Sequence, residues 1–194
     1  AILFIGQEGA LANLIAFTAA AVLLVHIVLI AAFSILDHMD GLCAGVAAIV
    51  AAFSLSFAAV GGQLLVGTLA AAILGASLGF LRFNARPARI FLGDGGAMLL
   101  GLVAGTLGIK LRFPDLAPTV SWMIPVLILA VPIFDTTLVT VSRVRRGLVP
   151  FSSPGKDHTA HRLVALGLSH TQAVQVIGLM ADETGAGVGI VGDA

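Results

Sequence analysis

Charge is what this sequence has least of. Lysine, arginine, aspartate and glutamate make up 10% of its 194 residues, where a soluble domain carries roughly 25%. So small a stock cannot cover a globule of this size with polar surface, and an ordinary soluble fold is excluded. Cations and acids balance at ten each, so the chain lacks the net positive charge of a nucleic-acid binder. The single cysteine, Cys43, rules out an internal disulfide and any Cys-x-x-Cys metal site. The first residues show neither the basic n-region nor the cleavage pattern of a secretory signal.

Apolar residues fill the space that charge leaves: they make up 59% of the chain, and the mean hydropathy is +1.10. A bilayer core about 30 Å thick needs roughly 20 apolar residues in a helix. Leu11–Ile35, Gly41–Val60, Gln63–Leu81 and Val120–Ser142 meet that length. Ala97–Ile109 approaches it once the Gly93–Gly96 turn is added, and a partial sixth helix begins near His170 and stalls at Asp182. Ala, Gly and Val dominate these runs, as they do where helices approach closely in lipid. The fold expected is an all-α, polytopic transmembrane bundle of about five spanning helices. It forms one domain over residues 1–182, with a loop at 143–170 that carries a short helix and a disordered Gly-rich tail at 183–194. The chain opens on Ala-Ile-Leu-Phe and closes on the run Gly185 to Gly192, and a fragment of a longer protein is the expectation.

Alternating the sides of five spans sorts the cations. Arg82, Arg86, Arg89, Arg143, Arg145, Arg146, Lys156 and Arg162 fall on one face, Lys110 and Arg112 on the other. By the positive-inside rule the first face is cytoplasmic, which makes this a multi-pass protein of the plasma (inner) membrane. Asp37, Asp40, Asp94 and Asp157 fall on the same face from separate connections, whereas Glu8 and Asp115 fall opposite. A carboxylate at membrane depth costs about 2.5–3.5 kcal/mol on insertion scales, so acids at helix ends require a partner or a cavity. Their convergence with the basic residues marks that face as a site.

Three constellations on that face carry chemistry, each with a plain structural alternative. In Ser34-Ile-Leu-Asp37-His38-Met-Asp40 the two acids are three apart and share a face on a helical turn. They either hold a divalent cation or polar substrate, or cap the next helix. In Arg89-Ile-Phe-Leu-Gly93-Asp94-Gly-Gly96 the acid precedes an apolar helix, where unpaired N–H groups favour anions. Asp94 is either an N-cap or, with Arg86 and Arg89 nearby, part of a site for a phosphate-bearing ligand. In Asp157-His158-Thr-Ala-His161-Arg162 a short helix runs from about Lys156 to Leu166 and stops at Gly167. Its two histidines bind phosphate or move a proton, or belong to a solvated loop helix. Ser169 and Gln172 form a capping box for the next helix. Asp135 stands about two turns inside the fifth span. It is either a functional intramembrane acid or a hydrogen-bond partner for nearby threonines or for backbone freed at Pro132. His26, Cys43 and Trp122 read as structural.

Together these strings resemble the polyprenyl-phosphate N-acetylhexosamine-1-phosphate transferases, glycosyltransferase family 4 in older usage. The resemblance is carried by Ala32-Phe-Ser-Ile-Leu-Asp37-His-Met-Asp40-Gly-Leu-Cys-Ala-Gly45, Pro87-Ala-Arg89-Ile-Phe-Leu-Gly-Asp94-Gly-Gly and Pro132-Ile-Phe-Asp135-Thr. A fourth string runs from Pro150-Phe-Ser through Asp157-His158 and His161-Arg162-Leu to Leu166-Gly-Leu-Ser-His170. They stand in the family's order over about residues 30–175, and the last two are closer to the UDP-N-acetylglucosamine-using branch than to the muramyl-pentapeptide branch. The resemblance implies transfer of a sugar 1-phosphate from a UDP-N-acetylhexosamine to polyprenyl (undecaprenyl) phosphate, with UMP released, as the first membrane step of a cell-envelope glycan. It implies Mg²⁺ or Mn²⁺ as cofactor, with Asp94 as metal ligand, and Asp37, Asp40, His158 and His161 as catalytic residues. Ser34, Arg89, Gly93, Asp135 and Arg162 are the substrate contacts it implies. The lipid bilayer, the UDP-sugar and the polyprenyl phosphate are the expected partners, and a homodimer is left open.

The chain departs from the family pattern in three local ways. Ser34 replaces Asn, Ala160 replaces a further His, and Asp94-Gly-Gly-Ala97 replaces Asp-x-Gly-Ser. The family also carries an adjacent Asp-Asp pair followed by Lys near an earlier helix, and no Asp-Asp occurs in these 194 residues. The expectation is that this pair lies upstream of Ala1, or else that the chain is an inactive scaffold. A transporter with Asp135 and His26 as intramembrane stations is the other competing reading, but the internal repeat common in transporters is missing from the sequence.

Overall fold

The computed structural model describes the backbone of residues 2–114, 116–148 and 157–192, and the side chains of residues 9–114, 116–117, 120–148 and 157–186. Every described element is helical: α1 (Ile2–Leu36), α2 (Leu42–Val60), α3 (Leu64–Asn84), α4 (Gly93–Lys110), α5 (Pro118–Ser121), α6 (Met123–Ile128), α7 (Ala130–Arg145), α8 (Thr159–Ala165) and α9 (His170–Gly192). The long apolar runs become helices because Ala, Leu and Val recur with few Gly-Pro interruptions. The chain turns where glycine supplies positive φ, at Gly41 (78°) between α1 and α2 and at Gly62 (62°) between α2 and α3.

Three helices among the described residues are long and apolar enough to cross a membrane: Gly9–Leu36 within α1, then α2 and α3. The expected five are not reached, and each shortfall has a cause. Helix α4 begins at Gly93 but has Asp94 in its first turn and Lys110 in its last, which leaves too short an apolar stretch. The run Val120–Ser142 is broken at Trp122 and again at Leu129 into α5, α6 and α7. Pro125 and Pro132 have no N–H for the carbonyls of Ser121 and Ile128. The helix expected to stall at Asp182 continues instead through Gly192.

Helix α2 lies between α3 and α9, while α1 packs on α4 and α7. Phe33, Leu36, Leu42, Val46, Leu107 and Val139 are wholly buried at the centre. Helices α1 and α4 touch backbone to backbone. A Cβ at Gly101 would lie 2.6 Å from the Leu29 carbonyl oxygen and 2.7 Å from the Ile30 Cα, and one at Gly105 would lie 3.2 Å from a Leu29 methyl. Gly101 and Gly105 form the small-xxx-small stripe that lets lipid-embedded helices approach. His26 fits the structural reading, with Nδ1 hydrogen-bonded to the Val22 carbonyl at 2.8 Å and Nε2 3.2 Å from Thr106 Oγ1. Cys43 is buried, its Sγ 3.5 Å from the Phe33 carbonyl, whereas Trp122 is exposed.

The two ends of the bundle differ. At one, Gln63 binds the backbone of Arg112 through both amide atoms, donating to its carbonyl at 2.8 Å and accepting its N–H at 2.9 Å. At the other, the α1–α2 turn, the α3–α4 loop and the start of α8 come together, which is where the sequence gathers its acids and histidines.

Candidate active site

The first half of the site is a pair of connections locked by an amide. Asn84, 5% exposed at the end of α3, accepts the Gly41 N–H at 3.0 Å and donates to the Ile90 carbonyl at 2.9 Å. It thereby ties the α1–α2 turn to the α3–α4 loop. Asp40 adds a second tie, its Oδ2 accepting the Ala88 N–H at 3.2 Å. Asp37 and Asp40 were expected to share a helical face, but they sit on a non-helical turn and both reach the α3–α4 loop. Asp37 lies beside Asp94: burial first, then the Asp94 charge, pushes its carboxyl above the usual range, while the Gly93 N–H pulls the other way. Asp94 is exposed in the first turn of α4. Leu92 occupies the N-cap position and no side chain caps that helix, so Asp94 is not an N-cap. Gly93 holds φ at 68°, a conformation that places the Gly93 N–H next to Asp37.

The second half is a histidine cluster. His158 is the N-cap residue of α8, with extended backbone, and its side chain is buried. Its Nδ1 lies 3.0 Å from Asp135 Oδ2, and the Thr159 N–H donates to the other Asp135 oxygen at 2.7 Å. The His38 ring stacks on that of His158, with centroids 4.0 Å apart and planes at 25°, and lies 5.1 Å from that of His161. His38 Nδ1 is 3.0 Å from the Ile35 carbonyl, whereas Nε2 is buried without a hydrogen bond. Asp135 therefore stands level with the α1–α2 turn. The ten residues of α7 beyond it extend about 15 Å further, while the start of α8 is bonded back to Asp135. Its partners are His158 and Thr159, neither the threonines of its own helix nor backbone near Pro132.

A polar brace ties the head of α8 to the C-terminal part of α7. Asp157 pairs with Arg143 at 3.3 Å and with Arg146. Desolvation would raise its carboxyl, but the hydrogen bonds and charges of Arg146 and Arg143 hold it below the usual range. Arg162 donates to the Asp157 carbonyl at 3.0 Å and to Ser142 Oγ at 3.2 Å. Helix α8 is followed by Gly167 at φ 104°. The capping box closes as read: the Ser169 N–H donates to Gln172 Oε1 at 2.9 Å and the Gln172 N–H to Ser169 Oγ at 3.2 Å.

Of the residues singled out from the sequence, Asp37, Asp40, Gly93 and Asp94 meet in the first half, and Asp135, His158 and His161 in the second. Ser34 is half-buried on the last turn of α1, and Arg89 is exposed in the α3–α4 loop. Lys156, Asp115 and the Pro150-Phe-Ser segment lie outside the described residues, as does the side chain of Glu8. His38 and Asn84 were missed. Flanking by Asp37 and Asp40 was the available signal for His38; for Asn84, whose bond to Gly41 spans 43 residues, local sequence offered none.

A family model described as glycosyl transferase family 4 matches residues 2–112, more than half of the chain. The chain belongs to glycosyl transferase family 4. Its relatives within that family include the probable undecaprenyl-phosphate N-acetylglucosaminyl 1-phosphate transferase of Bacillus subtilis, 39% identical over 149 residues, with 77% of this chain and 41% of the relative covered. The decaprenyl-phosphate N-acetylglucosaminephosphotransferase of Mycolicibacterium smegmatis is 35% identical over 167 residues, with the same coverage. A phospho-N-acetylmuramoyl-pentapeptide-transferase of Clostridioides difficile is 47% identical over 76 residues, 39% of this chain and 24% of the relative. The chain thus spans about two-fifths of the length of the first two relatives. The family match takes in the Asp37–Asp94 half of the site and His38, while Asp135, His158 and His161 lie beyond it.

The histidine stack in this family member has a consequence for stability. Burial, and after it the charge of His158, lowers the His38 pKa to about 4, while in an unfolded chain it titrates near ~6.5. Between those values the unfolded state binds a proton that the folded state refuses. His38 therefore costs nothing above about pH 6.5, and stability falls as the pH drops toward about 4. Chemical denaturation in detergent across that window should show a decline in wild type that is shallower in His38→Gln.

Proposed function

We propose that the protein transfers N-acetylglucosamine 1-phosphate from UDP-N-acetylglucosamine to polyprenyl phosphate, releasing UMP, at the cytoplasmic face of the plasma membrane. One observation carries the reading: segments remote in sequence bring the Asp37–Asp94 pair and the His38–His158–His161 cluster to the same end of an apolar bundle. Beside the cluster is a cavity of about 550 Å³ whose walls include Leu36, Val131, Phe134, Ile177 and Met180 together with Asp135 and Thr159. An isoprenoid tail suits this apolar slot, and the histidine cluster beside it suits the phosphate head.

The acid pair suits a hard divalent cation. Asp94 lies close enough to disfavour the charge of Asp37, a repulsion that oxygen-liganded Mg²⁺ relieves. Asp94 and Asp37 would hold it, and it would neutralise the diphosphate and the departing UMP. In the reaction an acceptor phosphate oxygen attacks the sugar-bearing phosphorus, and the bond from that phosphorus to the UMP oxygen breaks. His158 and His161 face the phosphates, Arg89 adds positive charge from the exposed loop, and Asp40 holds the α3–α4 loop against the turn. The distribution of cations on the chain supports the cytoplasmic side. UMP release should be measured with undecaprenyl phosphate, UDP-N-acetylglucosamine and Mg²⁺, using the longest protein that the reading frame encodes. A folded protein that releases none removes the proposal.

A further inference from the structure

We infer that Asp135 is a positioning residue that fixes the proton and the ring orientation of His158, and not a contact for substrate. The inference rests on the transferase reading. An imidazole has three things to settle before it can act: which nitrogen carries the proton, how the ring is rotated, and which way its face leans. The bond from His158 Nδ1 to Asp135 Oδ2 at 3.0 Å settles the first two, because a carboxylate only accepts and so requires the proton on Nδ1. The Thr159 N–H on Oδ1 at 2.7 Å keeps the carboxylate itself from turning. The His38 ring, stacked at 4.0 Å and oriented by its own bond to the Ile35 carbonyl, settles the lean.

What remains to His158 is Nε2, which makes no hydrogen bond among the described residues. That atom can donate to a phosphate oxygen when the ring carries its second proton, with the positive charge balanced by Asp135 beneath it. Asp135 is poorly placed to meet a substrate directly, being 3% exposed with both oxygens engaged. His38, Asp135 and His158 have ligand atoms within 4.8 Å of one another, a spacing that would also admit a metal ion. The near-parallel stacking of the two rings disfavours it, since lone pairs of stacked imidazoles do not converge on one centre, and His158 Nδ1 and both Asp135 oxygens already have partners.

The test is a double-mutant cycle on UMP release, with binding and turnover read separately. Asp135→Asn presents one acceptor and one donor where the site needs two acceptors, so it cannot satisfy both His158 and Thr159. It should lower kcat by about ten- to a hundredfold with little change in KM for either substrate. His158→Gln should lower kcat at least as far, and the double variant no further, because residues acting as a unit are non-additive. Thr159→Pro serves where Asp135→Asn fails to fold. Thr159 is the first residue of α8, proline is favoured there, and the preceding His158 already has φ −69° and ψ 152°, as a residue before proline requires. Deleting that single N–H should lower kcat by a smaller factor, and again add nothing to His158→Gln. A rise in KM in Asp135→Asn, or losses that multiply in the double variant, would overturn the inference.

A measurement without substrates separates this inference from the transferase reading. In ¹⁵N-histidine-labelled protein, a protonated Nδ1 signal that is absent in His158→Gln should shift in Asp135→Asn. If wild type releases no UMP but that signal behaves as stated, the transferase reading fails and the Asp135–His158 support stands. A His158 found protonated only on Nε2 removes the support whatever the activity.

Discussion

Replacing Asp94 by asparagine is expected to lower UMP release about a thousandfold, equivalent to about 4 kcal/mol of barrier. The size follows from the position of this acid. Asp94 is exposed at the head of α4 while Asp37 is half-buried beside it, so the pair offers one accessible and one desolvated carboxylate. Asparagine keeps the shape but removes the charge that draws a divalent cation between them. Chelation with EDTA should reproduce the loss in wild type, and Mg²⁺ should restore it. A readout free of substrate is available as well. A ligand that binds only the folded state stabilises by about 2.7 kcal/mol at a hundred times its dissociation constant. Mg²⁺ alone should therefore raise the melting temperature of wild type but not of Asp94→Asn. Equal shifts in both would mean that the cation sits elsewhere.

Replacing Gly101 by valine should be the most damaging change outside the site. The nearest atoms to an added Cβ are backbone, the Leu29 carbonyl oxygen and the Ile30 Cα and N, all within 3.0 Å. Backbone cannot rotate away as a side-chain terminus can. Helices α1 and α4 must separate, at a cost of about 1–3 kcal/mol for the first added carbon and more for a branched residue. Because α1 leads directly into Asp37 and α4 carries Asp94 in its first turn, the separation also moves the two acids relative to each other. Gly101→Val should lower both the melting temperature and the apparent Mg²⁺ affinity. Gly79→Val, on a helix face with open space around the Cβ, is the control and should do neither.

The parts of this molecule that could be read from its sequence are those set by local composition. Apolar runs gave α2 and α3 with nearly correct ends and α1 at its C-terminal end, nine residues of its start being missed, and Ser169 with Gln172 gave the start of α9. The run from Val120 to Ser142 misled because hydropathy sums over a window, while Pro125 and Pro132 act at single carbonyls. The convergence of Asp37 and Asp94 could be inferred from charges gathered on one side, since unpaired acids at helix ends demand company. Nothing comparable announced Asn84, a neutral amide whose two bonds join separate connections, and His38 had only its flanking acids to mark it, since its role comes from a ring more than a hundred residues away. Asp135 was visible as an anomaly, but its partner was not, because the bond to His158 spans 23 residues and the segment that carries it is tied down by Asp157 on Arg143 and Arg146. Such contacts follow from packing, which periodicity does not encode.

The distance along the chain between the two halves of the site also sets the order in which they can form. The ties among Gly41, Asn84, Asp40 and Ala88 lie within the first hundred residues, so the acid half can assemble as soon as α4 has left the ribosome. The His38 ring must then wait for His158, and at about 5–20 residues per second that interval is about 2–10 seconds. During it the ring has no aromatic neighbour, and the slot beside Leu36 lacks the wall that α9 provides. The nascent protein therefore passes through a stage in which the acid pair is in place while the histidine support is still to be made.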